Sequence, residues 1–230
     1  MQVIALFTLF GLTLSHPLLS ISPFLFSRSA GETAASMLLE IAPTSSSCTG
    51  ALFPTECATN EQAAQYLIDA MAKYGIWSPA ELAALLSLIA YETGDFKYNV
   101  SFSVVDLGIV LMCLMQTNHY PAPGRPGQGT RNMQMASFNL QYALSVPALK
   151  TAALAIAPSS STSGLSDDQL NQIRALVLPD EYAWGSAAWF YTTQCDSVRS
   201  QVKAGGQAGY EVSLDLCHHK KVFVADHVFV

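Results

Sequence analysis

Charge is what this 230-residue chain has least of: 12% of its residues are Asp, Glu, Lys or Arg, about half the usual quarter. The shortage falls mainly on the bases, 11 Lys and Arg against 17 Asp and Glu, for a formal net charge of -6. No basic cluster offsets that balance, which argues against a phosphate-backbone partner and so against nucleic acid. Metal-ligand spacing is missing as well: there is no Cys-x-x-Cys, and the only close histidine pair, His218-His219, is adjacent. No structural metal and no cofactor is expected on that ground. Gly127-Gln128-Gly129 lacks the lysine that follows in a phosphate-binding loop. No internal repeat is present.

What the chain does have is apolar bulk, 50% of its residues, and that length suits one domain with a sizeable core plus a leader or tail. Val3 to Leu14 is a mostly apolar run with no charged side chain in it or before it. It is too short to span a bilayer and has the length of a signal-peptide core; a buried strand or helix is the other reading. Cleavage falls near Ser15 or after Ala30. The expected organisation is a signal peptide and leader over 1–30, a flexible linker over 31–58, a folded domain over 59–211 and an atypical tail over 212–230. The product is secreted, with no membrane association once the leader is removed.

Five cysteines, Cys48, Cys57, Cys113, Cys195 and Cys217, leave one thiol over in a secreted chain. Cys48 and Cys57 bracket a short turn-forming loop suited to a local disulfide.

Helix signals are dense after the linker. Thr59 or Asn60 caps a helix from Glu61 to about Lys73, and Gly75 closes it. Ser78, Pro79 and Glu81 are placed as cap, first helical residue and capping-box partner of a second helix. From Leu82 to Tyr91 that helix holds one strongly polar residue, Ser87, and no charge. A helix so apolar all round is central and buried. Further helices are expected over Met135 to Val146, Pro147 to Ile156, Ser166 to Pro179, and Asp196 to Ala204, with Gly205-Gly206 as the stop.

Glu92 stands at the end of the second helix. There the backbone dipole and burial both disfavour its charged form, the condition a general acid needs near neutral pH. A surface glutamate in a last turn satisfies the same spacing, and on spacing alone both readings stand.

Tyr91-Glu92-Thr93-Gly94-Asp95-Phe96, followed by Gly127-Gln128-Gly129-Thr130-Arg131-Asn132-Met133-Gln134, resembles the Glu-Ser-Gly-Phe and glycine-rich Met-Gln signatures of lytic transglycosylases and goose-type lysozymes. Ala187-Ala188-Trp189-Phe190-Tyr191-Thr192-Thr193 resembles a helix of plant-type family 19 chitinases. Both groups belong to the lysozyme-like superfamily. The resemblance implies a mainly α (α+β) fold, a lysozyme-like helical domain with a small β-hairpin. It also implies a monomer that cleaves a β-1,4-linked amino-sugar polymer, chitin or peptidoglycan, by hydrolysis or transglycosylation. Glu92 would be the general acid, and Gln134, Thr130, Arg131, Asn132, Tyr98 and His119 would line the polysaccharide site, while Trp189 stays in the core. The chain departs from the pattern at Asp95, an extra residue, and in having no second carboxylate that matches a base held about 6.5 to 9.5 Å away. The departure fits a transglycosylase, whose substrate supplies the attacking group, or an inactive secreted glycan-binding or host-interaction protein.

Between the acid and the glycine-rich segment lies an apolar run, Val100 to Gln116, out of character with its surroundings. Its 17 residues correspond to a whole number of codons, and Val-Ser and Met-Gln at its ends can be encoded by sequences typical of splice junctions. The run is therefore expected to be a retained intron, and the only other Val-Ser, Val212-Ser213, opens the tail in the same manner.

Overall fold

The computed structural model describes residues 33–100 and 125–213. Most of the apolar run, His119, the leader and nearly all of the tail lie outside those residues. What is described is mainly helical; it contains no strand, only two isolated antiparallel bridges, Val100 with Gly129 and Gly129 with Gln134.

Among the described residues ten helices follow in order: α1 Ala34–Ile41, α2 Asn60–Lys73, α3 Pro79–Thr93, α4 Ala136–Ser145, α5 Pro147–Ile156, α6 Asp167–Val177, α7 Asp180–Ala183, α8 Ser186–Gln194, α9 Arg199–Ala204 and α10 Gly206–Val212, with a 3-10 turn over Asp196–Val198 before α9. Caps set several of these boundaries. Thr59 accepts from the Gln62 amide while Gln62 reaches back to the Thr59 amide, and Ser166 and Gln169 do the same for α6. Proline opens α3 and α5, where its missing N–H is not needed.

The apolar α3 packs against α1, α8, α9 and α10, and α4 packs against α5, α6 and α8. Aromatic edges knit this interior, with ring centroids 4.9 Å apart for Phe138 and Phe190, 5.2 Å for Tyr142 and Trp189, and 5.3 Å for Phe96 and Trp184. Such pairs contribute about 0.5 to 1.5 kcal/mol each beyond area burial.

Three expectations change here. Residues 33–58 are not a loose linker: Leu38, Ala42 and Ala58 lie in the core, and Thr33 with Ser36 forms a capping box for α1. Three apolar contacts and a cap supply locally what a low-complexity composition conceals. The helix expected to end at Ala204 does end there, with Gly205 as its C-cap, but it is not the last: Gly205, at φ 74° and ψ -164°, turns the backbone into α10. Nor does Glu81 cap α3, because Ser78 makes no side-chain cap bond. Glu81 is fully buried instead, and its Oε1 accepts from Arg199 Nε at 2.6 Å and from the Tyr191 hydroxyl at 3.2 Å. The tertiary partner outcompetes the local one because a buried carboxylate needs a cation more than a neutral amide does.

That pair ties α3 to α8 and α9. Arg199→Met strands the buried carboxylate and lowers the free energy of unfolding in urea by about 3 kcal/mol; the double variant Glu81→Met/Arg199→Met recovers most of that loss. A single variant within about 0.5 kcal/mol of wild type contradicts the assignment.

Candidate functional site

The chemistry-bearing residues converge on two tight pieces of backbone. The first is the end of α3, where Gly94, Asp95 and Phe96 take consecutive positive φ values of 57°, 57° and 69°. For a phenylalanine this is a genuine outlier, and it persists because its surroundings over-determine it. The Phe96 side chain is fully buried against Trp184, and its amide donates to Thr93 Oγ1 at 2.9 Å. Asp95, the extra residue of the motif, accepts from the Thr44 amide at 3.0 Å and the Thr44 hydroxyl at 2.7 Å, and so pins the segment after α1. Glu92, in the last turn of α3, is buried.

The second piece is the loop from 125 to 135. Gly127, at φ 74°, admits no side chain, because a Cβ there would stand 2.6 Å from the Ala136 Cβ and 2.8 Å from the Leu170 carbonyl oxygen. Thr130 and Met133 also have positive φ, and the loop is fastened at both ends. The Gly129 amide donates to the Gln134 carbonyl at 3.1 Å and the Thr130 amide to the Asn99 carbonyl at 2.7 Å.

The loop's side chains turn inward. Thr130, Arg131, Asn132 and Gln134 are all at most 2% exposed. Gln134 Nε2 donates to Asn139 Oδ1 at 2.9 Å, and Asn132 Nδ2 donates to Gln134 Oε1 at 3.2 Å. Asn139 Nδ2 in turn donates to the carbonyls of Gly127 at 2.8 Å and Gln134 at 3.2 Å. The Thr130 and Ser186 hydroxyl oxygens stand 2.9 Å apart. Arg131 donates through Nη1 to the Phe96 carbonyl at 3.0 Å, pairs through Nη2 with Asp180 at 3.4 Å, and lies 4.4 Å from the Trp184 ring centroid. Asp180 also accepts from the indole N–H of Trp184 at 2.9 Å. Tyr98 is buried and meets Phe53 edge-on.

Of the residues proposed for a sugar cleft, Thr130, Arg131, Asn132 and Gln134 are brought together with their hydrogen-bonding atoms directed at one another and at the backbone, and Arg131 also reaches the Tyr98 carbonyl at 3.4 Å; Glu92 is buried at the end of α3, and His119 lies outside the described residues. The sequence reading missed Glu56, Asn139, Asp180 and Trp184. Glu56 sits beside Cys57, whose disulfide to Cys48 closes the loop, and its carboxylate meets the backbone that follows the α3 turn. There Oε2 accepts from the Asn99 and Val100 amides at 2.9 and 3.1 Å. Burial pushes the Glu56 carboxyl above its ordinary range, outweighing those two hydrogen bonds and the charges of Arg131 and Arg174. Cys195 is also disulfide-bonded.

Taken together, the described residues define a mainly helical domain stapled by a disulfide and locked by a buried polar loop. No family model matches the chain, and no solved structure matches it at a significant level. Over 157 residues, 68% of its length, it is 40% identical to a protein of Fusarium oxysporum (strain Fo5176) named bifunctional dioxygenase (DOX)-epoxy alcohol synthase (EAS). The chain spans about a tenth of the length of that relative, the aligned part making up 10% of it. The relative is named for oxidative chemistry, and this overturns the glycosidase, lytic transglycosylase and chitinase-like expectation. The signatures behind that expectation are a few residues long each, whereas the identity runs through most of the chain. The inactive glycan-binding alternative falls with it.

The raised Glu56 carboxyl has a testable sign. The folded state keeps its proton to a higher pH than the unfolded chain, in which the group titrates near 4.5. Between those two values the wild type loses stability as pH rises. Glu56→Gln does not titrate, so urea unfolding from pH 4 to 7 should show its stability relative to wild type increasing with pH and then levelling. A pH-independent difference contradicts the burial argument.

Proposed function

We propose that this chain is an accessory module of an oxidative enzyme of the dioxygenase–epoxy alcohol synthase kind, bracing or binding for it, with the oxidation itself carried out elsewhere. The observation that carries this is the alignment: identity of 40% over a segment amounting to 10% of the Fusarium oxysporum protein. A segment of that size suits one small domain among several. One feature of the structure supports an accessory role: the buried polar side chains around 125–135 are engaged with one another.

The lysozyme-like reading is kept as a proposal about the fold alone. It is supported by a buried glutamate at the end of an apolar helix and by a tight loop ending at Gln134, where the two isolated bridges stand in for a small hairpin. Export is supported by the disulfide states of Cys48, Cys57 and Cys195. A monomer without a nucleic-acid partner is supported by the acidic balance and by exposed large apolar residues spread singly along the chain.

Removing the matched segment from the Fusarium oxysporum protein tests the proposal. The truncated enzyme should keep measurable dioxygenase and epoxy alcohol synthase turnover while losing about threefold or more in rate or several degrees in Tm. Unchanged rate and stability contradict the proposal. So does complete loss of turnover in a folded truncated enzyme, which would place the catalysis inside the segment.

A further inference from the structure

A cavity separate from the buried loop opens beside α2 and α7, and its lining has a definite chemical bias. It measures about 200 Å³, and at roughly 30 Å³ per water that is room for about six waters or one small headgroup. Four rings contribute to its wall: Tyr66 from the middle of α2, Tyr74 from its C-cap, Tyr142 from α4, and Trp184 just after α7. Their polar atoms are largely committed elsewhere. The Tyr142 hydroxyl donates to the Tyr182 carbonyl at 2.8 Å, and the Trp184 N–H donates to Asp180. Burial pushes the Tyr142 phenol far above its ordinary range, so it stays neutral.

The charges at the cavity are mostly negative. Asp69, Asp180 and Glu181 line it against a single ammonium, that of Lys73. Asp180 is paired with Arg131, and the exposed Asp69 and Glu181 share the lining with Lys73. Two of the rings already hold cations from the chain itself. Lys73 Nζ lies 5.2 Å from the Tyr74 ring centroid, and the Arg131 guanidinium carbon lies 4.4 Å from that of Trp184. Both distances fall within the range of cation–π attraction. Lys73 is exposed at the end of α2, so its ammonium can leave the ring for water at little cost.

We propose that this cavity binds a small organic cation, an alkylammonium or quaternary ammonium group, with Lys73 as the internal occupant that such a ligand displaces. The carboxylates of Asp69 and Glu181 supply the charge attraction, and the rings of Tyr66 and Tyr74 supply an apolar, electron-rich wall. An anion would meet the wrong sign, and a neutral apolar group of the same shape would leave the carboxylates without a counter-charge. The inference does not rest on the oxidative-enzyme proposal.

Titrating the full chain with choline chloride and with 3,3-dimethyl-1-butanol, its neutral isostere, at constant ionic strength tests it by tryptophan fluorescence and thermal shift. Choline should saturate at millimolar concentration or below and bind about tenfold tighter than the isostere. Asp69→Asn should weaken choline binding about fivefold or more, and Lys73→Gln should tighten it. Asp69 is exposed and bonds to Gln65 on the helix surface at 2.8 Å, so its variant should fold; Glu181→Gln serves in its place if it does not. The proposal is overturned if choline does not bind up to about 10 mM, if the isostere binds equally well, or if Lys73→Gln weakens binding.

Discussion

Everything described around the loop 125–135 depends on one buried cation. Arg131 is 2% exposed, and its guanidinium joins three segments far apart in sequence: the turn after α3 through the Phe96 carbonyl, α7 through Asp180, and the core through the face of Trp184. Taking a guanidinium out of water is costly, and burial accordingly pulls its affinity for its proton down. That cost is offset by a planar fork that can serve a carbonyl, a carboxylate and a ring together, which the point charge of a lysine cannot do. Asp180 completes the arrangement by taking the Trp184 N–H as well, so cation, carboxylate and indole hold one another in place.

Two consequences reach toward function. Polar residues that stand together in the sequence as a glycine-rich loop are consumed in holding that loop to α3 and α8, and their burial gives the domain a stiff interior in place of a solvent-filled groove. The proposed cation cavity shares Asp180 and Trp184 with the lock. A ligand there would therefore bear on the same network that fixes the loop. For a domain amounting to about a tenth of a larger relative, a rigid body with a small binding pocket is a suitable part to add to an enzyme whose chemistry is elsewhere.

The helices were largely legible from the sequence, because the signals that set them are local. Thr59 and Ser166 cap as their spacing predicts, Pro147 opens α5, and Gly94 closes α3 in the left-handed conformation. What could not be read was whatever depends on a distant partner. Glu81 fits a capping box by spacing, yet its partner Arg199 is 118 residues away. Asp95 looks like a turn residue until Thr44 is placed against it, and Asp180 looks like stray charge until Arg131 arrives from 49 residues off. Glu56 lay hidden inside a cysteine loop whose only visible feature was its closure. The functional misreading has the same root: short motifs around Glu92 and Gln134 report a local backbone shape, and a shape shared over a few residues does not carry the chemistry of the proteins that share it.

The central claim is that the loop 125–135 is a structural lock, and amide hydrogen exchange under native conditions tests it most directly. The Thr130 and Gly129 amides, bonded to the Asn99 and Gln134 carbonyls, should exchange only through global unfolding, with the same denaturant dependence as the buried Ile89 amide in α3. Exchange of these two amides within minutes through local opening, while Ile89 stays protected, would show a mobile loop and contradict the account.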